Sequence, residues 1–170
     1  MPALAALAAN FAPDEKALAA AAKENAARTS WQREQWKNRK GFKAAQLVND
    51  PVWATKPDRS DFQDECKGFS KAGNDYVQRV RGTFTAPVAG DYAFSVASDD
   101  DGVLFLGAKG DAAAMKPAAK VDNYVNPGDW DSQPGQVAKV HLDAGEKLYV
   151  EARSFQGGGR SEEHTSELQS

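Results

Sequence analysis

The sequence predicts a mainly β protein, built as an antiparallel sandwich or barrel. Five or more short runs follow the two-residue period of a strand, and no helical pattern lies between them. Turn signals rich in Gly, Pro and Asp separate these runs about every ten residues, which is typical of all-β domains. The length of 170 residues fits one domain with a flanking segment.

The N-terminal part of the chain predicts a helix over residues 14–28. This stretch is rich in Ala, Lys and Glu, follows Pro13 as a start signal, and contains no Gly or Pro. Because the faces of this helix are mostly alanine, it would bury little apolar surface. We therefore interpret residues 1–28 as a helical linker or the remnant of an upstream segment. We place the domain boundary near Thr29, because Trp31, Trp36 and Phe42 then mark the start of real packing.

Irregular covering structure is expected over residues 47–74, where Pro and Gly interrupt both the helical and the strand period. We expect Trp53, Phe62 and Phe69 to hold this segment against the core. The single cysteine, Cys66, has no internal partner for a disulfide and is interpreted as a packing residue.

A strand with one solvent-facing side is predicted from Tyr76 onward. Tyr76, Val80 and Phe84 share one face, and the other face carries Arg79, Arg81, Thr83 and Thr85. Pro87 and Gly90 then supply a tight turn into a second strand over 92–97, which we interpret as a hairpin.

Three consecutive aspartates, Asp99, Asp100 and Asp101, end the second strand within the stretch SVASDDDGVLFLG. The apolar run 103–106 that follows is short enough for a strand buried on both faces. The carboxylates therefore lie in a loop between two core strands. Either this turn faces open water or a positive group lies beside it.

Another hairpin is predicted near the end of the chain, where a strand containing Val140 and Leu142 leads through DAGEK into a strand at 148–152. Within it, Glu151 and Arg153 are expected to pair across a sheet face. His141 is interpreted as an exposed strand residue.

Composition and motifs exclude several classes of function. The formal charge of −3 gives no electrostatic footprint for nucleic acid, and no apolar run approaches the ~20 residues that cross a bilayer. The first ten residues lack the basic region of an intact export signal. We find no Ser-His-Asp order, phosphate loop or spaced carboxylate pair, so we expect no catalytic activity, although the accessory domain of an enzyme such as a glycoside hydrolase is compatible with this pattern.

The order of motifs resembles the PA14 domain, a β-sandwich module of bacterial glycosidases, adhesins and other surface proteins. The matching features are the R-x-R-G-x-x-x-x-P-x-x-G-x-Y-x-F pattern over 79–94, the Ser-Asp-Asp of 98–100, the A-G-x-x-x-Y-x-x-A pattern over 144–152, and an R-E-x-W motif at 33–36. The resemblance implies a PA14-like antiparallel β-sandwich over residues 29–159. The family's final strand, which typically opens with Asp-Asn and ends in Trp, has no counterpart here.

The last eleven residues, RSEEHTSELQS, follow Gly157-Gly158-Gly159 without any apolar periodicity. They resemble the translation of a common short-read sequencing adapter. We therefore interpret 160–170 as a non-native tail and the domain as C-terminally truncated, and exclude the tail from fold reasoning.

The resemblance also implies a calcium-dependent sugar site. In sugar-binding PA14 domains, two adjacent aspartates joined by a cis peptide bond hold Ca²⁺, which ligates vicinal hydroxyls of a glycan; Asp99 and Asp100 occupy those positions. Ca²⁺ prefers oxygen ligands, which adjacent carboxylates supply. Gln156 lies in the segment that matches the second ligand loop, and Trp130 is a candidate for stacking on a sugar ring, with core packing as its alternative.

We therefore expect a non-catalytic glycan-binding module, monomeric and part of a larger exported bacterial protein, with cell-surface polysaccharide as partner. Its expected location is extracellular or on the cell surface. The alternative is a structural spacer or protein-interaction domain of the same fold, in which DDDG is only a solvated turn, because Asp caps its own backbone and Gly tolerates positive φ.

Overall fold

Two antiparallel sheets make up the computed structural model of the chain, which describes residues 6–7, 30–158 and 167–169. The mainly antiparallel β fold predicted from the sequence is confirmed. The helix predicted over 14–28 lies outside the described residues. Within the described part, no helix is both long and apolar enough to span a bilayer.

Ten strands and one short α-helix follow one another within the described residues. The strands are β1 (Ala6–Leu7), β2 (Trp31–Lys37), β3 (Arg59–Gln63), β4 (Tyr76–Thr85), β5 (Gly90–Ala97), β6 (Gly102–Ala108), β7 (Lys116–Val121), β8 (Val137–Leu142), β9 (Lys147–Gln156) and β10 (Glu167–Gln169). Helix α1 spans Ala44–Asn49, and 3₁₀ turns span Pro51–Ala54 and Ala112–Ala114.

The larger sheet has six strands in the order β3-β2-β4-β9-β6-β7. The smaller sheet is organised around β5, which pairs with β8 along one edge and with β1 and β10 in succession along the other. Strand β10 (Glu167–Gln169) lies within the segment interpreted from the sequence as a non-native tail. It pairs with Ala97, Val96 and Ser95 of β5.

The main core fills the space between the two sheets. Phe84 of β4 meets two rings of β5 edge-on, with centroid distances of 5.4 Å to Tyr92 and 5.3 Å to Phe94. Aliphatic side chains of β6 and β9, including Leu104 and Val150, complete this cluster. The face of β4 predicted to point inward therefore does so.

A second core covers the opposite face of the larger sheet, so the prediction of a solvent-facing side on β4 is wrong for its first half. Helix α1 and the 3₁₀ turn at Pro51–Ala54 lie over this face and bury Val77 completely. Trp36 and Trp53 meet edge-on here with ring centroids 5.3 Å apart. A sheet covered on both faces has nearly continuous burial along its strands, which the period of the sequence did not reveal.

Arg153 ties α1 to the larger sheet. Its Nη1 donates to the carbonyl oxygens of Leu47 at 3.0 Å and Val48 at 2.7 Å, and its Nε donates to Glu151 Oε1 at 2.6 Å. The predicted pairing of Glu151 with Arg153 is confirmed, although both side chains are buried inside the second core rather than on an open face.

Both predicted hairpins are wrong, because each turn crosses between the sheets. β4 pairs with β9 along its whole length, from Tyr76 opposite Gln156 to Thr85 opposite Lys147, whereas β5 pairs with β8. The segment with Pro87 and Gly90 therefore links one sheet to the other, and so does the DAGEK turn after β8. A tight turn has the same local chemistry in a hairpin and in a crossing between sheets.

Residues 47–74 are more regular than predicted, since they contain the end of α1, the 3₁₀ turn at Pro51–Ala54 and strand β3. Trp53 and Phe69 are buried as expected, but Phe62 is 67% exposed on the edge strand β3. Cys66 is buried in the main core, which confirms its interpretation as a packing residue.

Candidate functional site

The three aspartates lie where β5 of one sheet leads into β6 of the other. This end of the sandwich also carries the start of β4 and the end of β9, because Tyr76 pairs with Gln156 in the ladder that joins those strands. Residues that follow β9 therefore lie beside the acidic turn. The predicted position of the carboxylates, in a loop between two core strands, is confirmed.

Asp101 points into the protein and holds three segments together. Its Oδ2 accepts a hydrogen bond from the backbone N–H of Ala44 at 2.9 Å, and its Oδ1 lies 3.3 Å from both Lys43 Nζ and the backbone nitrogen of Asn123. Its carbonyl oxygen accepts the N–H of Phe155 at 2.9 Å. The side chain is only 2% exposed, so this carboxylate is structural.

Asp99 is buried beside the end of β9. Its Oδ2 accepts a hydrogen bond from Gln156 Nε2 at 3.2 Å. Burial of the phenol, together with the negative charge of Asp99, raises the pKa of Tyr76 to about 12. The charge of Asp99 therefore acts on a buried neighbour, and Gln156, which the resemblance placed in the second ligand loop, contacts Asp99 through its amide nitrogen.

Asp100 is half-buried and lies at the outer corner of the turn. Its Oδ2 accepts the backbone N–H of Gly157 at 2.6 Å, and its own backbone is left-handed, with φ of +62°. Aspartate tolerates this conformation better than most residues. The Asp99–Asp100 peptide bond is trans, which differs from the cis bond that the resemblance implied.

Gly157 meets Asp100 so closely that a side chain would not fit between them. A Cβ atom at this position would lie 2.7 Å from Asp100 Oδ2 and 3.3 Å from Phe155 Cε1. A glycine is therefore required for the backbone N–H to approach the carboxylate. The loop after β9 and the acidic turn therefore meet, and we call the place where Gln156 and Gly157 contact Asp99 and Asp100 the acidic corner.

The donor chemistry of this corner fits Ca²⁺. Asp99 and Asp100 offer carboxylate oxygens, and Gln156, whose Nε2 donates to Asp99, would have to turn its amide oxygen towards the ion to serve as a ligand. Ca²⁺ takes six to eight oxygen ligands, among them carboxylates, amide and backbone carbonyls and waters. Within the described residues no cluster of three or more His, Cys, Asp or Glu side chains is arranged for a metal, so backbone carbonyls and waters must supply the remaining ligands.

Trp130 is half-buried and packs against the main core. Its carbonyl oxygen accepts a hydrogen bond from Ser95 Oγ, and the neighbouring Asp129 carbonyl accepts from the buried Gln136 side chain. The structure thus places Trp130 against β5, within the loop that leads to β8.

Tyr124 is an exposed aromatic residue that the sequence analysis missed. It is 42% exposed and lies between Asn123, whose N–H reaches Asp101, and Val125, whose N–H donates to the carbonyl of Ser98 at 2.9 Å. Its hydroxyl hydrogen bonds to Asn126 Oδ1. No local signal marks such a residue, because its nearness to the acidic turn comes from contacts between distant segments.

Comparison with known families gives one match over most of the chain. The sequence matches the model of the PA14 domain over residues 23–168. That range extends beyond the predicted boundaries of 29–159 at both ends. No curated protein sequence matches the chain.

Several solved structures are similar to this chain at low sequence identity. The A domain of epithelial adhesin 9 from Candida glabrata, in complex with Galβ1-4GlcNAc, is 10% identical with a TM-score of 0.51, over 75% of this chain and 75% of that one. A β-glucosidase from Kluyveromyces marxianus, in complex with glucose, is 13% identical with a TM-score of 0.49, over 99% of this chain and 17% of that one. The PA14 sugar-binding domain of an RTX adhesin is 15% identical with a TM-score of 0.48, over 82% of this chain and 86% of that one. The present chain thus spans under a fifth of the β-glucosidase.

Proposed function

The chain belongs to the PA14 domain family, and from that premise we propose that it is a non-catalytic carbohydrate-binding module whose glycan contacts depend on Ca²⁺. The adhesin domain from Candida glabrata, which has the same fold, was solved with a galactose-containing disaccharide. That likeness supports a sugar as ligand. The identity of the site rests on the residues of this chain.

One observation carries the proposal: the segment at the end of β9 contacts two adjacent carboxylates of the acidic turn, which is far away in sequence. Gln156 contacts Asp99 and Gly157 contacts Asp100, whereas the third carboxylate, Asp101, is turned inward and bonded to the backbone of α1. The acidic triplet is thus divided between one structural aspartate and two that meet a second loop. A turn whose aspartates were all solvated would not bury one of them and place the other two against a second loop.

Ca²⁺ would be held by Asp99 and Asp100, with Gln156 as a further oxygen donor. A bound Ca²⁺ supplies ligand positions for vicinal hydroxyls of a sugar and neutralises the repulsion between the two carboxylates. The bonds from Gln156 and Gly157 keep both side chains at the corner. The protein therefore orients the carboxylates before any glycan arrives.

An aromatic side chain next to such a corner favours sugar binding, because the apolar face of a pyranose ring packs well on an exposed ring. Tyr124 meets this requirement more directly than Trp130, since Tyr124 is exposed and bonded into the loop beside the acidic turn. We assign Tyr124 as the first stacking candidate. Trp130 stays a second candidate through its exposed part.

The wider setting of the module is also part of the proposal. We infer that it belongs to a larger exported bacterial protein and acts outside the cell or on its surface. Its partner there is a glycan or cell-surface polysaccharide. The fraction of the β-glucosidase that this chain spans is consistent with a module inside a longer protein.

A structural spacer or protein-interaction domain of the same fold is the second candidate. It is favoured by the fact that Asp99 and Asp100 already have hydrogen-bond partners within the chain. In that case the corner is a closed structural joint. Calcium then changes neither stability nor binding.

A glycan array probed with the full chain tests the proposal. The chain should bind a subset of glycans in 5–10 mM Ca²⁺ (about ten times the Kd of weak extracellular sites) and lose this signal in EDTA. Asp100→Asn should abolish it, whereas Asp143→Asn, an exposed aspartate in the turn between β8 and β9, should bind like the wild type. Absence of any calcium-dependent glycan would favour the spacer.

A further inference from the structure

A cavity lies between the loop after β2 and the segment that follows α1. Its volume is about 410 Å³, within the range of about 300–1,000 Å³ common for small-molecule sites. It is lined by Asn38, Arg39, Lys40, Phe42, Asp50, Pro51, Val52 and Thr55. The lining thus combines two cations with one aromatic ring.

Arg39 stands in this lining without an acceptor. Within the described residues its Nε is buried and makes no hydrogen bond, and its guanidinium takes part in no ion pair. Only its backbone is held, because the N–H of Arg39 donates to the carbonyl of Asp75 at 2.7 Å. Buried polar atoms in proteins almost always have partners, so the guanidinium of Arg39 is the group of this lining that still lacks an acceptor.

The other charged groups at the cavity do not neutralise Arg39. Asp50 is engaged elsewhere, since its Oδ1 accepts the N–H of Val52 at 2.8 Å. Lys40 is 80% exposed and lies 3.6 Å from Asp75, which is outside the lining. Lys40 is thus balanced by Asp75 and Asp50 keeps its own charge, so an anion would be favoured locally, at the Arg39 guanidinium, rather than by a net charge of the whole lining.

An aromatic contact connects the lining of the cavity to the proposed calcium corner. Phe42 of its lining stacks on Phe155, with ring centroids 6.0 Å apart, and Phe155 borders Gly157, the partner of Asp100. Lys37, two residues before Arg39, pairs with Tyr76, which in turn pairs with Gln156. The cavity lining and the loop that meets Asp100 are thus linked through Phe155 and through neighbouring strands of one sheet.

We propose that this cavity binds a uronic acid residue of an acidic polysaccharide, with the sugar carboxylate on Arg39 and the ring over Phe42. A guanidinium suits this role because its planar fork matches a carboxylate in two parallel hydrogen bonds. The inference rests on the proposed function and names its ligand class: acidic rather than neutral glycans.

Titration of the ¹⁵N-labelled full chain with galacturonate, followed at the Arg39 Nε–H resonance, tests the assignment. Arg39→Lys identifies the resonance by its disappearance. Galacturonate should shift this signal, and galactose, which has the same ring without the carboxylate, should leave it unmoved. A galacturonate titration that leaves the signal in place overturns the inference.

Charge-removal variants give a second readout. Arg39→Gln should weaken galacturonate binding about tenfold, as expected for one charge-assisted hydrogen-bond pair, without lowering the melting temperature, because the guanidinium bonds nothing in the protein. Lys139→Gln removes an exposed charge on β8 in the other sheet and should bind galacturonate like the wild type. Equal affinity in the wild type and Arg39→Gln contradicts the assignment.

The two proposals fail in different ways. If the chain binds neutral glycans in Ca²⁺ but the Arg39 signal does not respond to galacturonate, the uronic acid site is refuted and the module remains a lectin-like domain. If Arg39 responds to galacturonate in EDTA while no glycan depends on Asp100, the cavity stands and the calcium site falls.

Discussion

The backbone N–H of Gly157 donates to Asp100 Oδ2 at 2.6 Å, and this bond joins the loop after β9 to the turn between β5 and β6. The two residues are 57 positions apart along the chain. Their contact fixes the outer carboxylate of the corner while leaving Asp100 half-buried rather than enclosed. The position of the loop after β9 thus controls the geometry of the proposed ligands.

Gly157→Ala should weaken calcium binding several-fold, about 1 kcal/mol, because its Cβ displaces the Asp100 carboxylate. Gly158→Ala is the matched control, since nothing lies within 4 Å of a Cβ at that position. Calcium titrations of the two variants make the comparison. Equal affinities would show that the bond between Gly157 and Asp100 has no part in the site.

Asp101→Ala should destabilise the protein by about 3 kcal/mol, because it leaves the buried N–H of Ala44 without an acceptor and frees α1 from the turn. Urea denaturation of the variant measures this loss. Asp122→Ala serves as the control, since its carboxylate only contacts Lys120 at the exposed surface. A loss for Asp101→Ala as small as that of the control would contradict its structural role.

The alternating strands and their inward faces could be predicted from the sequence, because local periodicity reports which side of a strand is apolar. Val80 and Phe84 are examples on β4. The partner of each strand could not be predicted, since the same turn residues serve a hairpin and a crossing between sheets. The burial of Val77 could not be predicted either, because the covering helix α1 runs into a segment whose Pro and Gly content suggested irregular structure.

The acidic turn and its neighbour Gln156 could be named from the sequence, through the family's order of motifs. The different roles of the three aspartates could not be predicted, because they depend on contacts of Asp101 with Ala44 and Asn123, which are far away along the chain. Arg39 and Tyr124 were missed for the same reason. Neither residue has a local pattern that distinguishes it from other surface residues.

Tyr124→Ala should reduce glycan affinity about fivefold to tenfold, since an exposed aromatic ring at a binding site contributes on the order of 1 kcal/mol. Tyr124→Phe should bind nearly as well, because the ring remains although its hydroxyl loses Asn126. Calorimetry with a glycan taken from the array gives both affinities. Full affinity in Tyr124→Ala would transfer the stacking role to Trp130.

His141 should titrate above its ordinary pKa of 6.5, because its Nδ1 lies 2.6 Å from Asp91 Oδ1 and the hydrogen bond favours the protonated ring. A raised pKa in the folded state means that the pair stabilises the protein below pH 6.5 and loses this effect as the pH rises through the folded-state pKa. NMR titration of the His141 ring measures the midpoint. Asp91→Asn should lower it towards 6.5, and an unchanged midpoint would contradict the pairing.

Calorimetric titration of Ca²⁺ into the full chain at pH 7 tests the central claim most directly. Asp99, Asp100 and Gln156 should give one site with a Kd of about 0.1–1 mM, the range of weak extracellular calcium modules. Asp100→Asn should abolish the binding heat and Asp143→Asn should preserve it. Wild-type protein that takes up no Ca²⁺ at 10 mM (about ten times the weaker limit), or an Asp100→Asn variant that binds as well as the wild type, would contradict the account.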